Sequence, residues 1–212
     1  MALYDVKPRF RAMLQGLVPI LSRVHPDWIT MAGLACSVLA AVLFQAAEQR
    51  RVLFLVIPLL LLLRITLNAL DGMVAQATGK ARAFGEVLNE VTDRLSDVAI
   101  LLGLAVSSLS SLFWGTLAVT AVLLSSYVGV LGKAVGAGRQ YGGVLGKADR
   151  MLYLGIACIA AYFVGNPALI RARGSSLSLF DCLLAAFALL ALVTAIQRVA
   201  AIHRALTHGV RA

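Results

Sequence analysis

The sequence is poor in charged residues and poorest of all in acidic ones. Only 14% of its 212 residues are charged, while 60% are hydrophobic. Soluble domains are roughly half apolar and a quarter charged. Apolar stretches long enough to cross about 30 Å of hydrocarbon recur along the chain. This composition excludes a soluble globular protein and predicts one that is embedded in lipid.

Cysteine is also scarce. Cys36, Cys158 and Cys182 each stand alone in an apolar stretch, without metal-ligand spacing or an obvious disulfide partner. We interpret them as small packing residues.

The apolar stretches predict an all-α polytopic membrane protein that forms a single domain over residues 1–212. Residues 4–24 mix apolar and basic positions, which is typical of an amphipathic helix on the membrane surface. A bundle of six transmembrane helices is expected to follow within residues 28–204. The predicted spans are 28–48, 52–78, 84–110, 112–135, 149–165 and 178–204.

The net charge of +9 reflects basic residues that lie mainly at helix ends. This distribution indicates membrane topology and anionic headgroups rather than nucleic-acid binding. With the N-terminus inside, thirteen Lys and Arg residues fall in cytoplasmic segments and four in outer loops. We therefore expect a bacterial-type inner membrane protein with both termini in the cytoplasm. A homodimer is also expected.

Five of the ten acidic residues crowd into the second and third predicted spans, where two arginines accompany them. A charge at the centre of a span costs about 2.5–3.5 kcal/mol on insertion scales, so such residues usually mark a functional pathway or site. The seven residues are Arg64, Asp71, Glu86, Glu90, Asp93, Arg94 and Asp97.

The spacing of these polar residues predicts which of them meet. Residues four apart form one stripe on a helix, and the turn between the two spans centres near Lys80. In an antiparallel hairpin, residues whose numbers sum to about 161 then lie at the same depth. Three facing sets follow: Asn68 with Asp93, Asp71 with Asn89 and Glu90, and Arg64 with Asp97.

Two readings of these facing residues are possible. The polar groups could simply pair with one another and hold the helices together, and for Arg64 and Asp97 we favour that interpretation. The other set carries more oxygen acceptors than cations, which suits a hard divalent ion such as Mg²⁺ or Mn²⁺. We predict Asn68, Asp71, Asn89 and Asp93 as its ligands.

Basic residues gather on the same face, in the loop before the fifth span and at its start. They either set the membrane topology or form an anion pocket, since Arg and Lys suit phosphate. The pocket would hold a phosphate-bearing acceptor or a lipid headgroup. Its candidate residues are Lys133, Arg139, Lys147 and Arg150.

Residues 68–93 resemble the signature of the CDP-alcohol phosphotransferase family, D-x2-D-G-x2-A-R-x8-G-x3-D-x3-D. Every spacing is kept over 26 residues, and five of the eight defined positions match. The segment PDWITMAG at 26–33 also resembles the entry to the family's first span. In this chain the eight positions are Asn68, Asp71, Gly72, Ala75, Gln76, Gly85, Asn89 and Asp93.

The resemblance implies a transferase of phospholipid biosynthesis. An acceptor hydroxyl would attack the β-phosphorus of a CDP-alcohol lipid such as CDP-diacylglycerol, and CMP would leave. By position, Asn68, Asp71, Asn89 and Asp93 fall on metal-binding places, and Asp93 is also the implied catalytic base. The implied nucleotide-binding residues are Gly72, Ala75, Gln76 and Gly85.

The signature departs from the family pattern at three positions. Asn68 and Asn89 replace carboxylates, and Gln76 replaces an arginine. Relative to the family pattern, Glu90 and Asp97 are the possible substitute metal ligands, since each lies one helical step from a signature position. These departures motivate a second hypothesis besides the transferase, a catalytically silent relative that serves as a membrane partner or scaffold. A cation transporter with intramembrane carboxylates is a third hypothesis, although transporters favour broken helices and internal repeats.

Overall fold

The structure is a computed structural model and describes residues 7–172 and 175–209. These residues form helices joined by turns and loops, together with one small β-hairpin. The helices are α1 (Lys7–Leu14), α2 (Val18–Leu21), α3 (Pro26–Phe44), α4 (Leu53–Ala77), α5 (Ala83–Ala105), α6 (Leu112–Ala134), α7 (Lys147–Val164) and α8 (Leu179–Gly209), and a 3-10 turn, Gln15–Leu17, joins the first two.

The segment predicted as one surface helix over 4–24 is broken in the described residues 7–24. Gly16 and Pro19 lie at the break, and both residues disfavour a helix interior because glycine is too flexible and proline lacks an N–H. Apolar side chains of this segment, such as Leu14, pack with Leu70 and Val74 of α4. The segment is therefore attached to the bundle along an apolar face.

Four helices of the described chain are long and apolar enough to cross a membrane: α3, α4, α6 and α8. The chain is therefore a polytopic helical membrane protein. Helix α5 is 23 residues long, but its first two thirds carry the charges that the sequence places there, from Glu86 to Asp97. Helix α7 spans 18 residues and begins with three charged residues within four positions, namely Lys147, Asp149 and Arg150.

Small residues allow the helices to approach closely. Helix α3 packs against α4 and α5, α4 also packs against α7, and α6 packs against α5 and α8. A Cβ added at Gly103 of α5 would lie 2.4 Å from the Cβ of Ala41 on α3. A Cβ at Gly115 of α6 would lie 2.0 Å from the Cβ of Ala105. Neither position has room for a side chain.

The apolar core includes an aromatic cluster formed by Phe44, Phe54 and Phe180. The ring of Phe180 stacks on that of Phe54, with centroids 6.0 Å apart, and meets Phe44 edge-on at 6.4 Å. Next to Phe180, Asp181 accepts hydrogen bonds from the backbone N–H of Ser111 at 2.7 Å and from that of Ser178 at 3.0 Å. Asp181 thus joins the start of α8 to the start of α6.

The hairpin was not expected from the sequence, which predicts only a loop between the last two spans. Strand β1 (Ala168–Ala172) pairs antiparallel with β2 (Ser175–Ser178). Strands of five and four residues are too short for their alternation to stand out from a loop.

Candidate functional site

The predicted register between α4 and α5 is confirmed at two of its three facing sets. Asn68 Nδ2 donates to Asp93 Oδ1 at 3.0 Å, and Arg64 Nη2 lies 3.2 Å from Asp97 Oδ1. The connection from Thr78 to Arg82 is centred on Lys80, as the hairpin count assumed. The polar stripes of the two helices therefore face each other.

Asn68 is the centre of this polar contact. Its side-chain amide donates to Asn89 Oδ1 at 2.6 Å as well as to Asp93. Its oxygen accepts a hydrogen bond from Lys147. Three of the four predicted metal ligands are therefore linked directly, and a cationic side chain joins them.

Lys147 approaches this group from the first residue of α7. Its ammonium lies 2.7 Å from each carboxylate oxygen of Asp93. The side chain of Asp93 is only 12% exposed, and that of Lys147 is 24% exposed. This pair is therefore largely shielded from solvent.

Asp71, the fourth predicted ligand, has partners that the hairpin count did not predict. It accepts hydrogen bonds from Thr30 Oγ1 at 2.8 Å and from its neighbour's amide, Gly72 N, at 2.6 Å. It also lies within electrostatic range of Lys147 and Asp93. Thr30 lies in PDWITMAG, so the resemblance of that segment was the available signal for this contact.

Asp97 and Glu90, the possible substitute ligands, are both held by arginines. Asp97 is buried between Arg64 at 3.2 Å and Arg150 at 2.6 Å. Glu90 pairs with Arg139 and, at 3.3 Å, with Arg94. The prediction that Arg64 and Asp97 pair with each other and hold two helices together is thus confirmed, and Arg150 is an additional partner of Asp97.

The four basic residues predicted as an anion pocket do not converge on one open space. Each meets a different acidic residue of α5, so that together they form a ladder of ion pairs along one side of that helix. The pairs, from the start of α5 inward, are Lys133 with Glu86, Arg139 with Glu90, Lys147 with Asp93 and Arg150 with Asp97. We call this set the α5 ion-pair ladder.

The predicted nucleotide-binding residues lie on the last turns of α4 and the first turn of α5. A Cβ at Gly72 would meet nothing within 4 Å outside its own helix, although Asp71 beside it is buried. Gln76 is exposed, and Ala75 is partly exposed. A Cβ at Gly85 would be in ordinary contact with Arg82, at 3.5 Å from its Cγ. Open space therefore adjoins the polar group at Gly72.

A cleft of about 320 Å³ lies between the loop after α6 and helix α8. Arg198 lines it and donates hydrogen bonds to Ser125 O of α6 at 2.6 Å and to Gly142 O of the loop at 2.9 Å. No sequence pattern pointed to this contact, because it joins residues more than fifty positions apart. The other lining residues are Gln140, Gly142, Gly143, Gln197, Ala201 and Arg204.

The four predicted metal ligands include only two carboxylates. Among the residues that the structure describes, no group of three or more His, Cys, Asp or Glu side chains is placed to hold a metal ion. Asp71 and Asp93 supply carboxylates, while Asn68 and Asn89 supply neutral amide oxygens. Such a set fits one divalent ion whose remaining ligands come from water or substrate phosphates, as Mg²⁺ prefers.

The fold and this polar contact define a helical membrane protein with a site between α4 and α5. The sequence model of CDP-alcohol phosphatidyltransferase matches residues 23–197, and the chain belongs to that family.

Known proteins from several organisms are similar to this chain. Inner membrane protein YnbA of Escherichia coli is 35% identical over 158 residues, which cover 74% of this chain and 78% of YnbA. Archaetidylinositol phosphate synthase of Pyrococcus horikoshii is 28% identical over 161 residues, 74% of this chain and 82% of the synthase.

A solved structure shares the fold. It is phosphatidylinositol phosphate synthase of Mycobacterium tuberculosis with CDP-DAG bound, at a TM-score of 0.67 and 21% identity, covering 91% of this chain and 92% of that one. The same synthase in complex with manganese and citrate gives a TM-score of 0.65 at 21% identity, covering 91% and 88%.

Proposed function

We propose that this protein transfers a phosphatidyl group, or a related phosphoryl-alcohol, from a CDP-alcohol lipid to the hydroxyl of an acceptor and releases CMP. One observation carries the proposal: Asn68, Asn89 and Asp93 meet in the register of the family signature, beside the open space at Gly72. The crystallised relative with CDP-DAG bound supports a lipid donor of this kind.

In the proposed reaction the acceptor oxygen forms a bond to the β-phosphorus, and the bond from that phosphorus to the oxygen of CMP breaks. CMP departs with the bonding electron pair, and the acceptor's proton passes to Asp93. Asp93 is the proposed general base because it is the final position of the signature and meets Asn68. Its arginine neighbours, Arg64 and Arg94, lie 4.0 and 3.8 Å away, whereas both arginines that hold Asp97 lie within 3.2 Å. Gly72, Ala75, Gln76 and Gly85 are proposed to line the cytidine site.

A divalent ion, Mg²⁺ or Mn²⁺, is proposed to bind to Asp71 and Asp93 with help from the amide oxygens of Asn68 and Asn89. The manganese complex of the related synthase supports this assignment. When bound, such an ion would neutralise negative charge on the pyrophosphate. Thr30 would keep Asp71 in place through their hydrogen bond.

The acceptor is proposed to enter through the cleft at Arg198. Arg198 and Arg204 line it, and arginine suits a phosphate-bearing acceptor because its planar guanidinium matches phosphate oxygens. The ladder residues Lys133, Arg139, Lys147 and Arg150 would then keep the charges of α5 paired.

We propose six spans, α3 to α8, with both termini in the cytoplasm and residues 4–24 lying along the inner face of a bacterial-type inner membrane. The ladder supports α5 and α7 as spans because it neutralises the charges that would oppose their insertion. The excess of basic residues on one side supports the orientation. A homodimer is proposed as the assembly.

The catalytically silent relative stays a second candidate, since Lys147 already engages both oxygens of the proposed base. The deciding experiment gives purified protein radiolabelled CDP-diacylglycerol, a panel of hydroxyl acceptors and Mg²⁺ or Mn²⁺. Release of CMP that depends on an acceptor supports the transferase. Binding of the donor with no CMP release under any combination would favour the silent relative.

A further inference from the structure

Lys147 stands apart from the other basic residues of the α5 ion-pair ladder. Lys133 is well exposed, at 57% of its side chain, and it contacts only Glu86 in the ladder. Lys147, by contrast, reaches both oxygens of Asp93 and the oxygen of Asn68. It is the ladder residue that contacts the family signature.

The position of Lys147 in its helix does not explain where the side chain goes. It is the first residue of α7, following the N-cap Gly146. A positive charge at a helix N-terminus is disfavoured by the helix dipole. A lysine that only set the membrane topology would extend toward water. Its contacts with Asp93 and Asn68 must therefore outweigh both tendencies.

The oxygens that Lys147 contacts are the same ones that a divalent ion would need. Asp93 Oδ1, Asp93 Oδ2 and Asn68 Oδ1 all face its ammonium, while the amide nitrogen of Asn68 is turned toward Asn89 and Asp93. An ammonium and a divalent ion repel each other at such distances. Both cannot hold these oxygens at once.

Charge counting leads to the same conclusion. With asparagine at 68 and 89, the four signature positions carry two negative charges, on Asp71 and Asp93, instead of four. The positive charge of Lys147 offsets one of these two charges, and Arg64 and Arg94 also lie 4.0 and 3.8 Å from Asp93. A site so nearly neutral attracts a divalent ion far less than four carboxylates would.

We propose that Lys147 is a tethered cation that occupies the place of a metal ion between Asn68 and Asp93 and competes with divalent ions for it. The inference rests on the proposed function only in taking this contact as the metal site. Lys147 would thereby lower the affinity of the site for divalent ions. The neutral amide oxygen of Asn68 is enough to bind the singly charged ammonium, whereas a divalent ion would favour a carboxylate at that position.

The test is Mn²⁺ binding to the purified full-length protein, measured from the free Mn²⁺ signal by electron paramagnetic resonance. Lys147→Met removes the charge at similar length, and we expect its Mn²⁺ dissociation constant to fall about tenfold or more, since a unit charge next to the ion is removed. Lys133→Met is the matched control on the same ladder and should bind Mn²⁺ as wild type does. Equal affinity of K147M and wild type, or weaker binding by K147M, would overturn the proposal.

Restoring a signature carboxylate gives a second measurement. We expect Asn68→Asp alone to improve Mn²⁺ binding modestly, because the new carboxylate is neutralised by Lys147. N68D combined with K147M should improve it by more than the product of the two single effects. A double variant that shows only the product would contradict direct competition. If K147M does not fold, Lys147→Gln replaces it in both measurements.

These binding results are independent of turnover. Tighter Mn²⁺ binding by K147M in a protein that releases no CMP would support the tethered cation and refute the proposed activity. Acceptor-dependent CMP release together with unchanged Mn²⁺ affinity in K147M would support the proposed activity and refute the tethered cation.

Discussion

Arg64 and Asp97 form an ion pair across α4 and α5, with 3.2 Å between Nη2 and Oδ1 and side chains only 2% and 1% exposed. The second oxygen of Asp97 is taken by Arg150 of α7 at 2.6 Å. One carboxylate therefore balances two buried guanidinium groups from two other helices. Loss of this carboxylate should lower stability more than loss of either arginine.

Asp97→Leu should destabilise the protein more than either Arg64→Leu or Arg150→Leu. It leaves two buried cations without their shared partner, whereas each arginine substitution leaves Asp97 paired with the remaining arginine. Removing one member of a buried ion pair typically costs about 3–5 kcal/mol. Melting temperatures in detergent give the ranking, and R64L/D97L should remain below wild type because Arg150 stays unpaired. A D97L protein as stable as R64L would show that Asp97 does not bind both arginines.

Asp71→Ala should abolish stabilisation by divalent metal. A ligand that binds only the folded state stabilises it by about 2.7 kcal/mol at a hundred times its dissociation constant, so Mn²⁺ or Mg²⁺ should raise the melting temperature of wild type. Asp27→Ala, which removes a carboxylate paired with Arg82 elsewhere, should keep that increment. An unchanged metal response in D71A would exclude Asp71 as a ligand.

Asp93→Asn should lose turnover while keeping the fold. The amide preserves shape and hydrogen bonding but cannot take a proton, and loss of a general base typically costs about 10²–10⁴-fold. Binding of CDP-diacylglycerol should survive. The comparison is Asp97→Asn, assayed on the folded fraction, because Asp97 is held by two arginines and is not expected to act as a base. Normal turnover in D93N with loss in D97N would place the base one helical turn away.

Gly72→Ala should stabilise the protein and weaken its binding of the lipid donor. Glycine within a helix costs roughly 0.5–1 kcal/mol relative to alanine, and no neighbouring atom lies within 4 Å of the added Cβ. The melting temperature should therefore rise. If cytidine approaches the backbone here, affinity for CDP-diacylglycerol should fall in the same protein.

Gly155→Ala on α7 is the control for that experiment. Its Cβ would be in ordinary contact with Pro58, at 3.7 Å, away from the signature. It should leave donor binding unchanged, and a G72A protein with unchanged donor affinity would remove Gly72 from the nucleotide site.

Much of the fold and part of the site were predictable because they depend on local pattern. The helix bounds follow from apolar stretches, and the contacts of Asn68 with Asp93 and of Arg64 with Asp97 follow from counting across one tight turn. Such counting relates only helices that are adjacent in sequence. It could not place Lys147 or Arg150, which lie more than fifty residues beyond their partners on α5, nor the hydrogen bond from Thr30 to Asp71.

The predicted anion pocket also shows that the sequence alone does not reveal contacts between distant segments. Lys133, Arg139, Lys147 and Arg150 share one face, and their charge suggested a site for an anion. Their true partners are four carboxylates of α5 whose spacing was visible in the sequence. A count of charges within one segment cannot show that another segment already neutralises them.

The two hydrogen bonds that Asp181 accepts from the backbone amides of Ser111 and Ser178 should slow the exchange of those amides with solvent. These two amides precede helices rather than lie inside them, and amides at helix starts ordinarily exchange with solvent quickly because they have no partner in the helix. Here each amide has a fixed acceptor on a buried side chain. In hydrogen–deuterium exchange both should be protected like helix-interior amides, and one substitution, Asp181→Ala, should release the two together although they lie 67 residues apart in sequence.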